Sequence, residues 1–209
     1  PAAAELWAAV QFDPGPDSLT PGERAAHRRE LIELARRFTP RVSFEPPDAL
    51  LFELAGSCRL FGGLRSLLQQ LRAVFPLPFA VALAPLPLAA LVFARAGRAR
   101  CLTNAARLSS RLAPLPVALL RWPDDELQRL RSMGVGTFGE LLRLPREGLA
   151  RRLGPARLDE LDRLMGRRAD PRVSVPAEER FTARVDPGFE TTDTERLLGA
   201  LAPALESLE

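Results

Sequence analysis

Three carboxylates, Asp13, Asp48 and Glu53, and one glycine-rich turn, Gly134-Val135-Gly136-Thr137, are where residue type and spacing could do chemistry. Asp13 follows the apolar run 6–12. Asp48 lies between two strand-like runs, 41–45 and 49–55, and Glu53 is inside the second. A sheet built from these runs could gather acids at one end. Two-metal phosphoryl transfer needs such a cluster, because hard Mg²⁺ ions about 4 Å apart share several oxygen ligands. The competing expectation is that each acid is simply solvated, as most of the 26 Asp and Glu residues must be.

The turn supports a different chemistry. Leu127, Leu130 and Met133 share one helix face before it, and Phe138, Leu141 and Leu142 begin a second helix after it. This is helix-hairpin-helix spacing. Glycines allow a phosphate close to the backbone, and the first N–H groups of the second helix are donors aimed at it, so the unit grips a sugar-phosphate backbone without reading bases. Arg131 is the nearest charge, with Arg143 and Arg146 beyond it. A weaker second copy is Leu153-Gly154-Pro155-Ala156, between Leu149 and Leu158. The expected DNA-phosphate contacts are therefore Arg131, Gly134, Val135, Gly136, Thr137 and Gly154. A plain αα-hairpin with a glycine cap is the alternative.

Other chemistries are disfavoured by what the 209 residues contain. His27 is the single histidine and sits beside Arg28 and Arg29, as a solvated surface residue would. With only Cys58 and Cys101 beside it, neither a nucleophilic triad nor structural zinc is expected. All 29 basic residues are arginine, so Schiff bases and P-loop lysines are excluded. High-GC coding explains much of that bias. A net charge of +3 with an isoelectric point near 9.9 still suits a nucleic-acid partner. No apolar run approaches the roughly 18 residues that span a bilayer. Residues 1–10 carry Glu5 and no basic region, so a cytoplasmic protein without membrane contact is expected.

The elements that must hold these groups follow from periodicity. A strand is expected at 6–12. Thr20-Pro21-Gly22-Glu23 has capping-box spacing and opens a helix over 21–38. Strands at 41–45 and 49–55 flank Pro46-Pro47 as a hairpin. A helix at 64–74, a strand at 79–84 and a helix at 86–96 complete a mixed layer. From 117 to 166 only helical periods occur. Residues 168–176 read as a linker, and 180–185 and 192–208 as a strand and helix of a further domain left incomplete here.

In this order the segments resemble the Y-family translesion DNA polymerases. Phe38-Thr39-Pro40-Arg41-Val42 is similar to that family's Tyr-Thr/Ser-Pro-x-Val lead-in. Phe52-Glu53-Leu54-Ala55-Gly56-Ser57, followed by Leu60-Phe61-Gly62, resembles its Leu-Asp-Val-Thr-Gly-Ser segment. The resemblance implies an α+β fold: a polymerase-type palm (1–113) of mixed sheet and packed helices with fingers reduced or absent, an all-helical helix-hairpin-helix thumb (114–170), and a linker with the start of a little-finger domain (171–209). Where the family has Ser-Ile-Asp-Glu, this chain reads Pro46-Pro47-Asp48-Ala49. Its Val-Asp-Phe-Asp aligns with Val10-Gln11-Phe12-Asp13, although a two-residue slip would return Asp13 to the metal-bridging place. The degenerate site is thus Gln11, Asp13, Asp48, Ala49 and Glu53, with no metal, cofactor or catalytic residue expected.

This pattern of loss is similar to the ImuB-type subfamily, in which a catalytically silent palm serves a damage-induced mutagenesis complex. That resemblance implies a non-catalytic subunit holding primer-template duplex. It also implies a sliding clamp, an error-prone replicative-type polymerase and a RecA-like accessory protein as partners. Two alternatives remain: an active error-prone polymerase with unusual geometry, and a protein-interaction module that does not bind DNA.

Overall fold

Strand β1 (Trp7–Gln11) runs antiparallel between β3 (Ala49–Glu53) and β4 (Ala80–Ala84), and a five-stranded sheet grows outward from it in the order β2-β3-β1-β4-β5. The computed structural model describes residues 5–12, 20–75, 79–97 and 100–176, together with Thr194 and Gly199, both helical. Asp13, the expected strand 180–185 and the rest of the expected helix 192–208 lie outside the described residues. β2 (Val42–Glu45) and β3 form the antiparallel hairpin around Pro46-Pro47, whose peptide bond is cis. β5 (Arg100–Cys101) lies parallel to β4 and has only two residues, too few to leave a periodic signal in the sequence.

Alternation along β1 assigns its two faces. Ala8, Val10 and Phe12 point to one side, where α1 (Pro21–Arg36) and α2 (Leu64–Val74) cover them with Leu31, Ile32, Ala35, Leu67 and Leu71. Helix α1 starts at the expected capping box, with Thr20 and Glu23 satisfying each other's backbone N–H groups. Among the described residues it is the sole helix between β1 and β2.

Trp7 and Ala9 point to the other side, toward α3 (Pro87–Arg95). Residues 87–94 of α3 are buried all round, as a uniformly apolar helix must be. The sheet lies on one flank of α3 and the helical unit packs on another. That unit comprises α4 (Leu108–Leu112), a 3₁₀ turn (Val117–Leu120), α5 (Asp124–Ser132), α6 (Phe138–Arg143), α7 (Arg146–Leu153) and α8 (Pro155–Leu164). One apolar core runs unbroken from Ala9 and Ala49 through Phe93 to Phe138 and Leu164.

The chain divides into two units, Pro1–Val175 and Pro176–Glu209, and all these elements belong to the first. Within the stretch read as a linker, residues 170–175 are bonded to that unit. Asp170 accepts the otherwise unmet N–H of Leu88 at the start of α3 (3.1 Å), and Arg172 pairs with Glu45 (2.9 Å). Val175 N–H donates to Val42 on the edge strand (2.7 Å). The open edge of β2 and the uncapped start of α3 supply partners that the local sequence does not reveal. Among the described residues no helix is long and apolar enough to cross a membrane.

Candidate functional site

The register of the sheet sets Gln11 directly opposite Ala49. Both belong to the face that carries α3. Asp48, one residue before the strand, is held against β1 by the Phe12 N–H donating to its carbonyl (2.9 Å) and is 7% exposed. Gln11, Asp48 and Ala49 are therefore neighbours, as the sequence comparison requires. The Gln11 Oε1 is buried with no hydrogen-bond partner among the described residues.

The partner of Asp48 comes from the helical unit. Arg121 ends the 3₁₀ turn in a left-handed conformation (φ 57°, ψ 39°), and its side chain meets the carboxylate with both prongs, Nη1 to Oδ1 at 2.7 Å and Nη2 to Oδ2 at 2.6 Å. That bond raises the pKa of Arg121. A second guanidinium lies close by. Arg95, at the end of α3, donates to the Leu119 carbonyl (3.0 Å); burial, and then the like charge of Arg121, bring its pKa down to about 10.

Glu53 is not brought to this site. It pairs with Trp7 at the far end of β3, about 14 Å along the strand from the Asp48 end. Its carboxylate accepts the N–H groups of Leu6 (3.3 Å) and Ala55 (2.7 Å) and faces Arg41 at 3.7 Å. Convergence of Asp48 and Glu53 was a sequence expectation, and the strand direction separates them. Among the described residues no three Asp, Glu, His or Cys side chains gather in a metal-holding arrangement. A neutral amide, a methyl group and a carboxylate already chelated by arginine do not fit a pair of Mg²⁺ ions, which need several free anionic oxygens.

The glycine turn also differs from expectation. Gly134 adopts φ 77°, a conformation that favours glycine, and Thr137 caps α6. The turn's donors are already spoken for. Gly136 and Thr137 N–H groups donate to the Glu140 carboxylate (2.8 and 2.9 Å), Phe138 to Leu115 and Gly139 to Ala113 (both 2.9 Å). Gly134 and Val135 N–H groups donate back into α5, to Arg131 and Leu130. Glu140 thus supplies the anion that a phosphate would otherwise provide, and these bonds hold its own pKa below the usual carboxylate range. Arg131 is exposed at the end of α5.

The second hairpin is less closed. Gly154 (φ 83°) separates α7 from α8, its N–H donates to Ala150, and no side chain caps the start of α8. Arg151 and Arg152 are exposed on the last turn of α7. Sequence reasoning missed Arg95 and Arg121. Nothing local marks either one, because Arg121 acts on a residue 73 positions away.

The mostly antiparallel sheet with helices on both faces matches the palm-like fold of the Y-family DNA polymerases. Solved structures share it at low identity. They include a "Dbh Ternary Complex" (TM-score 0.60, 10% identity, 81% of this chain and 69% of that one) and a DinB family error-prone DNA polymerase from Sulfolobus solfataricus (TM-score 0.58, 13% identity, 97% and 78%). No family model matches the chain. Among curated proteins, this chain is a homologue of Protein ImuB from two strains of Caulobacter vibrioides. The identity to each is 32% over 158 residues, covering 72% of this chain and 34% of the relative. The chain spans about a third of the length of those relatives.

Proposed function

We propose that this chain is the palm and thumb of a polymerase-like subunit that performs no nucleotide transfer itself and holds duplex DNA during damage-induced translesion synthesis. The observation that carries this reading is the Asp48–Arg121 pair: the acid that stands beside Gln11 and Ala49 among the described residues is chelated by a guanidinium in place of a cation. Residues 1–113 serve as palm, 114–170 as helix-hairpin-helix thumb, and 171–209 lead toward a little finger. Its work would be cytoplasmic. A sliding clamp, an error-prone replicative-type polymerase and a RecA-like protein are partners proposed from the ImuB resemblance.

The DNA grip is placed on the second hairpin, where Arg151, Arg152 and the uncapped start of α8 beyond Gly154 offer charge and free N–H donors. The first hairpin, with Arg131, Gly134, Val135, Gly136 and Thr137, would contribute only after Glu140 gives up the turn. The occupied first turn favours one second reading, a protein-interaction module that never touches DNA.

Fluorescence anisotropy with primer-template duplex across a salt series separates these readings. Backbone gripping gives an affinity that falls linearly on a log–log salt plot. An interaction module gives no saturable binding at low salt. Primer extension with Mg²⁺ on the same protein is expected to yield no product, and extension abolished by Asp48→Ala would overturn the non-catalytic assignment.

A further inference from the structure

A cleft of about 410 Å³ opens between α3, α8 and the segment 170–172, and four arginines line it: Arg95, Arg157, Arg163 and Arg172. Three carboxylates share the wall, and each is already engaged. Asp170 accepts from Leu88 N–H and Arg172 (2.7 Å), Glu45 pairs with Arg172, and Glu160 accepts from Trp122 Nε1 (2.7 Å) and Arg157 (3.3 Å). Arg157 is held further by Glu126 at 2.6 Å. Two guanidinium groups remain without a carboxylate among the described residues. Arg95 gives one N–H to the Leu119 carbonyl and feels the charges of Asp48, Glu45 and Glu160 without a hydrogen bond to any of them, and the Arg163 side chain has no hydrogen-bond or ion-pair partner among the described residues. The Nε atoms of Arg95, Arg163 and Arg172 are buried and unbonded.

A half-buried guanidinium without a hydrogen-bonded anion is costly, because desolvation is repaid in full only by a charged acceptor in direct contact. The cleft therefore selects for an anion, and the count of donors selects its type. Arg163 offers a whole fork and Arg95 most of one, more N–H groups than the two oxygens of one carboxylate can accept. A phosphate presents three or four acceptor oxygens and no obligatory donor, and the guanidinium fork matches it bidentately. The volume lies within the range of small-ligand sites.

We propose that this cleft binds a phosphate-bearing anion through Arg95 and Arg163, at a site separate from the exposed arginines of α7. It needs no divalent ion, since the guanidinium groups provide the countercharge. The ligand's phosphates could belong to a free oligophosphate or to a DNA strand.

Isothermal titration of the full chain with sodium tripolyphosphate, without divalent metal, tests the site. The expected result is saturable binding, weakened tenfold or more by Arg163→Gln and by Arg95→Gln and partly restored by Arg163→Lys, which keeps charge without the fork. Arg163 loses no partner on substitution, so its variant keeps the wild-type melting temperature and a null result stays interpretable. Two further titrations identify the source. Duplex DNA that displaces tripolyphosphate and is itself weakened by Arg163→Gln assigns the phosphates to DNA; simultaneous binding assigns them to a free oligophosphate. A hexaglutamate peptide is expected not to compete. Absence of tripolyphosphate binding, glutamine variants that both bind as tightly as the parent chain, or equal affinity for hexaglutamate would each overturn the proposal. Loss of duplex binding with tripolyphosphate binding intact would instead count against the DNA-holding reading alone.

Discussion

Arg121 and Asp48 stand 73 residues apart and form a two-pronged ion pair, with both oxygens of the carboxylate bonded at 2.7 and 2.6 Å. The aspartate side chain is 9% exposed and the arginine 40%, so the pair seals the palm side of the junction while the guanidinium keeps one edge in water. It joins the hairpin of the sheet to the 3₁₀ turn of the helical unit.

Removing Arg121 should destabilise the protein more than its partial exposure suggests, because Asp48 is left nearly buried and uncompensated. Arg121→Ala is expected to cost about 2 kcal/mol. Arg121→Gly should cost less, since glycine relieves a left-handed backbone worth roughly 1 kcal/mol. Urea denaturation measures both. A double-mutant cycle with Asp48→Asn should return a coupling of about 1–3 kcal/mol, and a coupling near zero would mean that the pair is decorative.

Rebuilding the acidic site should restore cation binding. Gln11→Asp and Ala49→Glu put carboxylates on facing strands, and Arg121→Ala frees Asp48. Ala49 is fully buried, so the triple variant is expected to be less stable than the parent without metal and to gain melting temperature with Mn²⁺. At a hundredfold excess over Kd the gain corresponds to about 2.7 kcal/mol. Scanning calorimetry with and without Mn²⁺ reads this out, and an unresponsive triple variant would argue against the alignment of Gln11 and Ala49 with metal positions.

Arg151 and Arg152 should set the salt dependence of DNA binding. Replacing both with Ala is expected to reduce the log–log salt slope by about 2, close to one phosphate contact per arginine. Arg131→Ala should change it little while the first turn remains closed. Anisotropy at four salt concentrations is sufficient, and an unaltered slope in the double variant would remove the second hairpin from the interface.

Acid should open the first hairpin before the rest of the fold. The Gly136 N–H, then that of Thr137, depress the pKa of Glu140 below its unfolded value of about 4.3. The stabilisation from this group is therefore complete above that unfolded value and is lost as pH falls through the lower folded one. Amide hydrogen exchange at Gly136 and Thr137 should accelerate over that interval relative to Val135, which donates to Leu130. Glu140→Gln should show fast exchange at neutral pH. Equal protection of all three amides down to pH 3 would mean that the carboxylate does not hold the turn.

Much of the frame was legible in local pattern. The capping box Thr20–Glu23, the hairpin around Pro46-Pro47 and helix α2 at Leu64–Val74 stand where periodicity and turn chemistry place them, because each is decided by residues within a few positions of one another. A grouping of Gln11, Asp48 and Ala49 was implied by the family resemblance alone, and the β1–β3 register is what sets Gln11 opposite Ala49. Who faces Asp48 was not legible. An arginine that chelates an acid across 73 residues carries no spacing signature, and neither does a glutamate that turns back onto Gly136 and Thr137. The strip 168–176 looked like linker because its residues form no periodic element; it is ordered by Val42 and Leu88, whose open backbone groups arise only when sheet and α3 assemble. Sequence by itself determined which groups are charged and which elements carry them. Tertiary structure alone decided which charges meet, because the pairing of buried ions depends on distances that only the packed core sets.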